Sequence, residues 1–166
     1  PISIDSLSDI NNTLKHTAHK RIKMVEELFG TTPILTKTGT VDPVEACKGA
    51  KLIGIYFSMH NCPPCRMFTP IFAELYNEVN ATEKVIEVIF CSGDKTQEEY
   101  DEYYGEMPWL ALPKGDARLS PIAKKYEVKG VPRLIIIKPD GTVLEQNGVK
   151  KLTEGGPEAI ESYLAM

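Results

Sequence analysis

A chain of 166 residues, 42% of them apolar and 25% charged, is long enough to bury one core and too apolar to stay disordered. Its 19 basic against 23 acidic side chains give a net charge of −4, with no basic stripe interleaved with aromatics, so nucleic acid is not an expected partner. The longest strongly apolar stretches, Leu52 to Phe57 and Leu134 to Ile137, are too short to cross a bilayer, so no membrane span is expected. Four cysteines, Cys47, Cys62, Cys65 and Cys91, are too few and too unevenly spaced for a disulfide-stapled scaffold. A reducing compartment fits them better; a leader removed ahead of Pro1 would not show in this sequence.

Taken in order, the first thirty residues read as a helix capped by Ser8, with Ile10, Leu14, Ala18, Ile22, Val25 and Leu28 forming one apolar stripe that ends at Gly30. Lys15, His16, His19, Lys20 and Lys23 lie off that stripe; they form a solvated face, or His16 and His19 share a metal as a weak two-ligand pair. Ile34-Leu35 followed by Thr38-Gly39-Thr40 predicts a small hairpin, and Val44 to Cys47 a turn of helix before Gly49. The run KLIGIYFS, Lys51 to Ser58, has the near-continuous apolar character of a strand buried on both faces, which places it at the centre of a sheet.

Phe68, Ile71, Phe72, Leu75 and Val79 recur at helical spacing, with Pro70 as a kink point. Val85 to Phe90 predicts a strand, while Gln97 to Tyr104 and Ala117 to Tyr126 predict short helices, the first an acidic, Tyr-rich surface helix. Leu134 to Ile137 is a strand, Lys138-Pro-Asp-Gly141 a turn, and Thr142 to Leu144 an antiparallel return. Gly156-Pro157 opens a closing helix to Leu164. This order predicts an α/β fold, a central mixed β-sheet with helices on both faces, divided as a helical extension, 1–30, and one domain, 31–166.

The strongest local signal is Cys62-Pro63-Pro64-Cys65, set between the buried strand and an amphipathic helix. In an αβ framework such a pair reads as a redox motif, because the loop delivers Cys62 to a helix N-terminus whose free amides and dipole favour a negative sulfur. The prolines fit there, since the first helical amides have no intrahelical partner, and a residue before Pro prefers the extended geometry of a cap. Cys65, three residues on, lies on the same helix face and can attack a mixed disulfide formed at Cys62. A zinc knuckle would need a second cysteine pair, which the chain lacks, although His60 is adjacent and Cys91 could approach in space. Cys91, at a strand end, reads as a small apolar residue. The redox chemistry requires no organic cofactor and no metal.

On the segments YFSMHNCPPCRMFTP (Tyr56 to Pro70), MPWLALP (Met107 to Pro113) and KKYEVKGVPRLIIIKPDG (Lys124 to Gly141), the chain resembles the tryparedoxin and nucleoredoxin branch of the thioredoxin-like superfamily, over roughly Thr31 to Met166. The resemblance implies a thioredoxin-like fold and a thiol–disulfide oxidoreductase in which Cys62 is the nucleophile, Cys65 resolves, and Pro132 lies beside them in cis. It further implies that Asn61, Pro63 and the Val131 backbone meet the substrate, with Trp109 either near that surface or in the core. Tyr56 occupies the place of the buried acid of thioredoxins, so proton handling differs. The partners it implies are protein disulfides and an upstream thiol donor, met by a monomer in the cytoplasm and also the nucleus. The alternative is a redox-sensitive, nucleoredoxin-like module that binds a signalling partner.

Two departures stand out. The branch carries Trp immediately before the first cysteine, where this chain has Asn61 preceded by His60. A protonated His60 would favour the Cys62 thiolate; otherwise it meets solvent. Arg66 either adds positive potential near the sulfurs or faces water. The second departure is the N-terminal helix, which covers the core, pairs two chains, or docks a partner.

Overall fold

The structure, a computed structural model, describes residues 4–166; residues 1–3 of the expected extension lie outside them. Helix α1 (Ile4–Phe29) starts about a turn before Ser8, which lies inside it rather than capping it. It ends at Gly30, whose φ of 65° suits a residue without a Cβ and whose N–H donates to Glu26 O at 2.8 Å. Strands β1 (Ile34–Leu35) and β2 (Thr40–Val41) form the expected hairpin. Helix α2 (Pro43–Cys47) follows, capped by the Asp42 carboxylate, which accepts from the Val44 and Glu45 amides.

The remaining elements are β3 (Leu52–Ser58), α3 (Pro63–Val79), β4 (Ile86–Ser92), α4 (Gln97–Gly105), β5 (Leu110–Ala111), α5 (Leu119–Lys125), β6 (Arg133–Ile137), β7 (Val143–Glu145) and α6 (Val149–Leu164). Two of these differ from expectation. β5 is too short to leave a periodic signal, and it exists because β4 on one side and β1 on the other take up its backbone groups. α6 begins at Val149, well before Gly156; the backbone breaks at Gly156 (φ 50°, ψ −134°) and Pro157 starts the second segment. Helix α3 runs on through Pro70, an exposed position.

The strands form one seven-stranded mixed sheet in the order β2-β1-β5-β4-β3-β6-β7. β3 is central, parallel to β4 and antiparallel to β6, and all seven of its residues are buried. Its period-2 alternation sorts the core into two layers. Leu52 and Tyr56 face one layer with Val88, Phe90, Leu134 and Ile136, closed by α3, α4 and α6. Ile53, Ile55 and Phe57 face the other with Ile89, Cys91, Ile135 and Ile137, closed by α2, α5 and the end of α1. At Gly54 the first layer closes tightly, since a Cβ there would meet Leu134 Cδ1 and Val88 Cγ2 at 3.3 Å. Helices thus cover both faces, as the element order predicts.

Helix α4 corrects a reading made from composition. Tyr100, Tyr103 and Tyr104 are buried, so the tyrosines are the inner face of an amphipathic helix and only its acidic side is at the surface. For α1, by contrast, only the last two turns are packed: Met24, Val25, Leu28 and Phe29 are buried, whereas Leu7, Ile10, Leu14 and Ile22 are exposed, Leu14 to 62%. The apolar stripe is therefore buried only where it reaches the domain.

Arg118 ties that end down. Its guanidinium donates to Phe29 O at 2.7 Å and Thr32 O at 2.6 Å, and it meets Asp116 with two bonds of 2.8 Å. These bonds from Arg118 hold the Asp116 carboxyl below the usual aspartate range. Arg118→Ala is expected to cost about 2 kcal/mol, the scale of hydrogen bonds to a charged group, measured by urea unfolding. The Asp116 contribution, present above the ordinary aspartate range in the wild type and lost as pH falls through its lowered value, should vanish from the pH profile of stability.

Candidate active site around Cys62 and Cys65

Strand β3 ends at Ser58, and the chain crosses Met59, His60 and Asn61 before α3 begins. The His60 N–H donates to Asp94 Oδ1 at 2.5 Å, and Asp94 Oδ2 accepts from Ser92 Oγ at 2.7 Å, so the loop is pinned to the end of the neighbouring strand. Cys62 is the N-cap of α3, extended at φ −128° and ψ 104°, with Pro63 and Pro64 filling the first helical positions. The Cys65 N–H points at Cys62 Sγ from 3.3 Å, so the sulfur itself takes the place of a capping oxygen.

The two cysteines are joined as a disulfide, with Cα atoms 5.2 Å apart, which makes this the oxidised form. They are not equivalent: Cys62 retains 8% exposure and Cys65 has none. An incoming reagent reaches Cys62. Cys62 lines an open depression of ≈ 520 Å³ with His60, Asn61, Pro63 and Arg66. From the other side, the Val131 carbonyl oxygen lies 3.9 Å from its sulfur, and the Val131–Pro132 peptide is cis. The structure therefore gathers Asn61, Cys62, Pro63, Cys65, Val131 and Pro132 from the loop, the start of α3 and the approach to β6.

Trp109 does not join them. It is 1% exposed and packs 4.7 Å from the Phe72 ring, with Tyr56 and Tyr76 edge-on to it. A substrate-contacting role at the surface is thereby corrected to a core role: β5 and the turn before it carry the indole inward, where a large aromatic fills the space beneath α3. Its N–H finds no acceptor among the described residues.

Tyr56 occupies the middle of β3, and its hydroxyl joins a buried chain. Tyr56 OH lies 2.8 Å from Thr69 Oγ1, which lies 2.6 Å from Tyr103 OH, in turn 2.7 Å from Ser58 Oγ. Thr69 is one helical turn beyond Cys65 on the buried side of α3, and the four linked side chains are all hydroxyls. Burial, with the neighbouring Tyr103, raises the Tyr56 pKa, so it stays a neutral phenol.

The residues that sequence reading missed come from α4 and its C-cap, Glu106. Asn61 Nδ2 donates to Glu99 Oε1 at 2.5 Å, His60 Nε2 lies 3.3 Å from Glu102 Oε2, and Arg66 Nη2 donates to Glu106 Oε1 at 2.9 Å. His60 Nδ1 also meets Asn61 Oδ1 at 3.0 Å, and the Arg66 guanidinium lies 5.1 Å from the centre of the Tyr103 ring. The signal was present as spacing: Glu99 and Glu102, three apart, share one face of α4, and Glu106, seven beyond Glu99, caps its end on that side. What faced them could not be read, because their partners lie 38 to 40 residues away along the chain in the two hydrogen-bonded pairs. Neither His60 nor Arg66 simply meets water.

Cys47 and Cys91 are free and buried. Burial pushes the Cys47 thiol up to about 12 and the Cys91 thiol higher still. Among the described residues, no three His, Cys, Asp or Glu side chains are placed to hold a metal ion, and no helix is long and apolar enough to cross a membrane. After reduction, iodoacetamide at neutral pH is expected to label Cys62 first and to leave Cys47 and Cys91 unlabelled in the native protein, as read by peptide mass spectrometry.

The chain matches the thioredoxin-like family over residues 49–143. It is 43% identical over 109 residues to probable nucleoredoxin 1 of Arabidopsis thaliana, a match covering 66% of this chain but 19% of that protein. It is 40% identical over 118 residues to the tryparedoxin of Trypanosoma brucei brucei, covering 70% of this chain and 80% of the relative. Among solved structures, tryparedoxin II from C. fasciculata superposes with a TM-score of 0.75 at 30% identity, covering 84% of this chain and 91% of that one.

Proposed function

Because the chain belongs to the thioredoxin-like family, we propose that it is a thiol–disulfide oxidoreductase in which Cys62 attacks and Cys65 resolves. The observation that carries this reading is the asymmetry of the pair. Cys62 caps α3 with its sulfur facing an amide and the depression, while Cys65 is sealed beneath it. The Cys65 amide and the helix dipole at that end favour a thiolate on Cys62.

In the reducing direction the Cys62 thiolate attacks one sulfur of a partner disulfide. The partner S–S bond breaks, a Cys62–partner bond forms, and the departing thiolate takes up a proton. Cys65 then loses its proton and its sulfur attacks Cys62 Sγ. The intramolecular disulfide forms, the second partner thiolate leaves, and two electrons have passed to the partner. An upstream thiol donor restores the dithiol by the reverse exchange.

Protein disulfides are the proposed substrates, since the depression is open and the half-buried Val131 backbone beside the sulfur suits an extended peptide strand. The free thiols Cys47 and Cys91 fit a reducing compartment, the cytoplasm or the nucleus.

Insulin reduction with a small dithiol as donor tests the reading. Turnover should fall to the uncatalysed rate in Cys62→Ser, whereas Cys65→Ser should accumulate a mixed disulfide with its partner. Absence of turnover in the wild type, with partner binding that differs between the oxidised and the reduced form, would favour the redox-sensitive binding module instead.

A further inference from the structure

Where the related branch carries an aromatic residue before the first cysteine, this chain has a polar pair whose hydrogen-bonding logic can be followed atom by atom. Glu99 sets it. A carboxylate only accepts, so the Asn61 group at 2.5 Å from Glu99 Oε1 is the amide NH2, and the amide oxygen is left facing His60 Nδ1 at 3.0 Å. An amide oxygen also only accepts, so Nδ1 carries a proton.

Across the ring, Nε2 is buried and lies 3.3 Å from Glu102 Oε2, an ionic contact rather than an aligned hydrogen bond. A bare lone pair there would face a carboxylate and be repelled; a proton converts the contact to an ion pair. Neutral imidazole has one N–H, which Asn61 takes, and the Glu102 carboxylate favours a second proton on Nε2.

Glu99 is itself fixed as an anion. Its other oxygen accepts from the Thr96 and Lys95 amides, and these bonds, with Asn61, lower its pKa. The charged and titratable groups around His60 are Asp94, bonded to its amide, Glu99 and Glu102 from α4, Tyr103 edge-on to the ring, and Arg66 from α3, itself paired with Glu106. Asn61 first and Glu102 next raise the His60 pKa, against the opposing effects of burial and Arg66. Were His60 neutral, Arg66 would be the one cation named here against four carboxylates.

Taking Cys62 as the attacking sulfur, we propose that His60 is a positioning residue for it, pinned as an imidazolium between Asn61 and Glu102 to supply positive charge beside the Cys62 thiolate. Glu99 and Asn61 orient the ring, Glu102 holds its charge, and the cation adds to the helix N-terminus in favouring ionised sulfur. With rising pH the imidazolium discharges as the thiol ionises, so the two titrations are coupled and the Cys62 curve is shallower than that of a single group.

The test is the pH dependence of Cys62 alkylation by iodoacetamide in the reduced full chain, read by peptide mass spectrometry, for the wild type and His60→Gln. The variant should lower the rate at about pH 6.5 about tenfold, as a rise of about one unit in the Cys62 pKa requires, and its curve should steepen to that of one group. In NMR titration, the wild-type His60 midpoint should lie above the free value of 6.5 and fall in Glu102→Gln. Superimposed alkylation curves, or a wild-type midpoint at or below 6.5, would overturn the role of His60 while leaving Cys62 as the nucleophile. A Cys62 inert to alkylation in the wild type and the variant would overturn the oxidoreductase reading, and the role of His60 with it.

Discussion

Everything chemical in this molecule depends on one contact, the Cys65 N–H directed at the Cys62 sulfur where α3 begins. A helix leaves its first amides without partners, and here a sulfur answers one of them. That arrangement holds only if the start of the helix cannot move relative to the sheet. β3, buried along its whole length between β4 and β6, supplies the rigidity, and Phe68, Phe72 and Leu75 hold the helix down on it. The cysteine pair is thus placed by packing that involves neither cysteine's chemistry.

The two sides of the active loop are held differently. Beneath it lie aromatic rings and a chain of hydroxyls from Tyr56 to Ser58, a low-dielectric interior that holds no carboxylate in that chain. Above it, the acidic face of α4 and its C-cap Glu106 reach across to His60, Asn61 and Arg66 with three separate carboxylates. Tyr103 belongs to both sides. Its hydroxyl joins the buried chain, while its ring stands perpendicular to that of His60 and lies under the Arg66 guanidinium. A helix whose sequence looks like solvated surface is therefore the second wall of the site, with tyrosines inward and glutamates toward the loop.

The N-terminal helix has a different standing. Its final turns belong to the second core layer and are locked by Arg118, while its earlier turns keep Leu7, Ile10 and Leu14 exposed. Amphipathic periodicity reports that a face is apolar; it carries no information about whether the domain extends far enough to cover it.

What the sequence by itself determined was local or periodic. The central strand followed from an unbroken apolar run, the helix start from Pro-Pro after a cysteine, and the redox pairing from two cysteines three residues apart between a strand and a helix. The unequal roles proposed for the cysteines were already suggested by the place of the pair between strand and helix, and the structure adds their unequal burial. Tertiary structure alone decided that Glu99 and Glu102 meet the Asn61–His60 pair, and it settled what resemblance had only implied or left open, Val131 against Cys62 and Trp109 turned into the core. Chain pattern records which face a residue occupies on its own element. What that face meets is set by how the sheet brings elements together, and no periodicity encodes the partner.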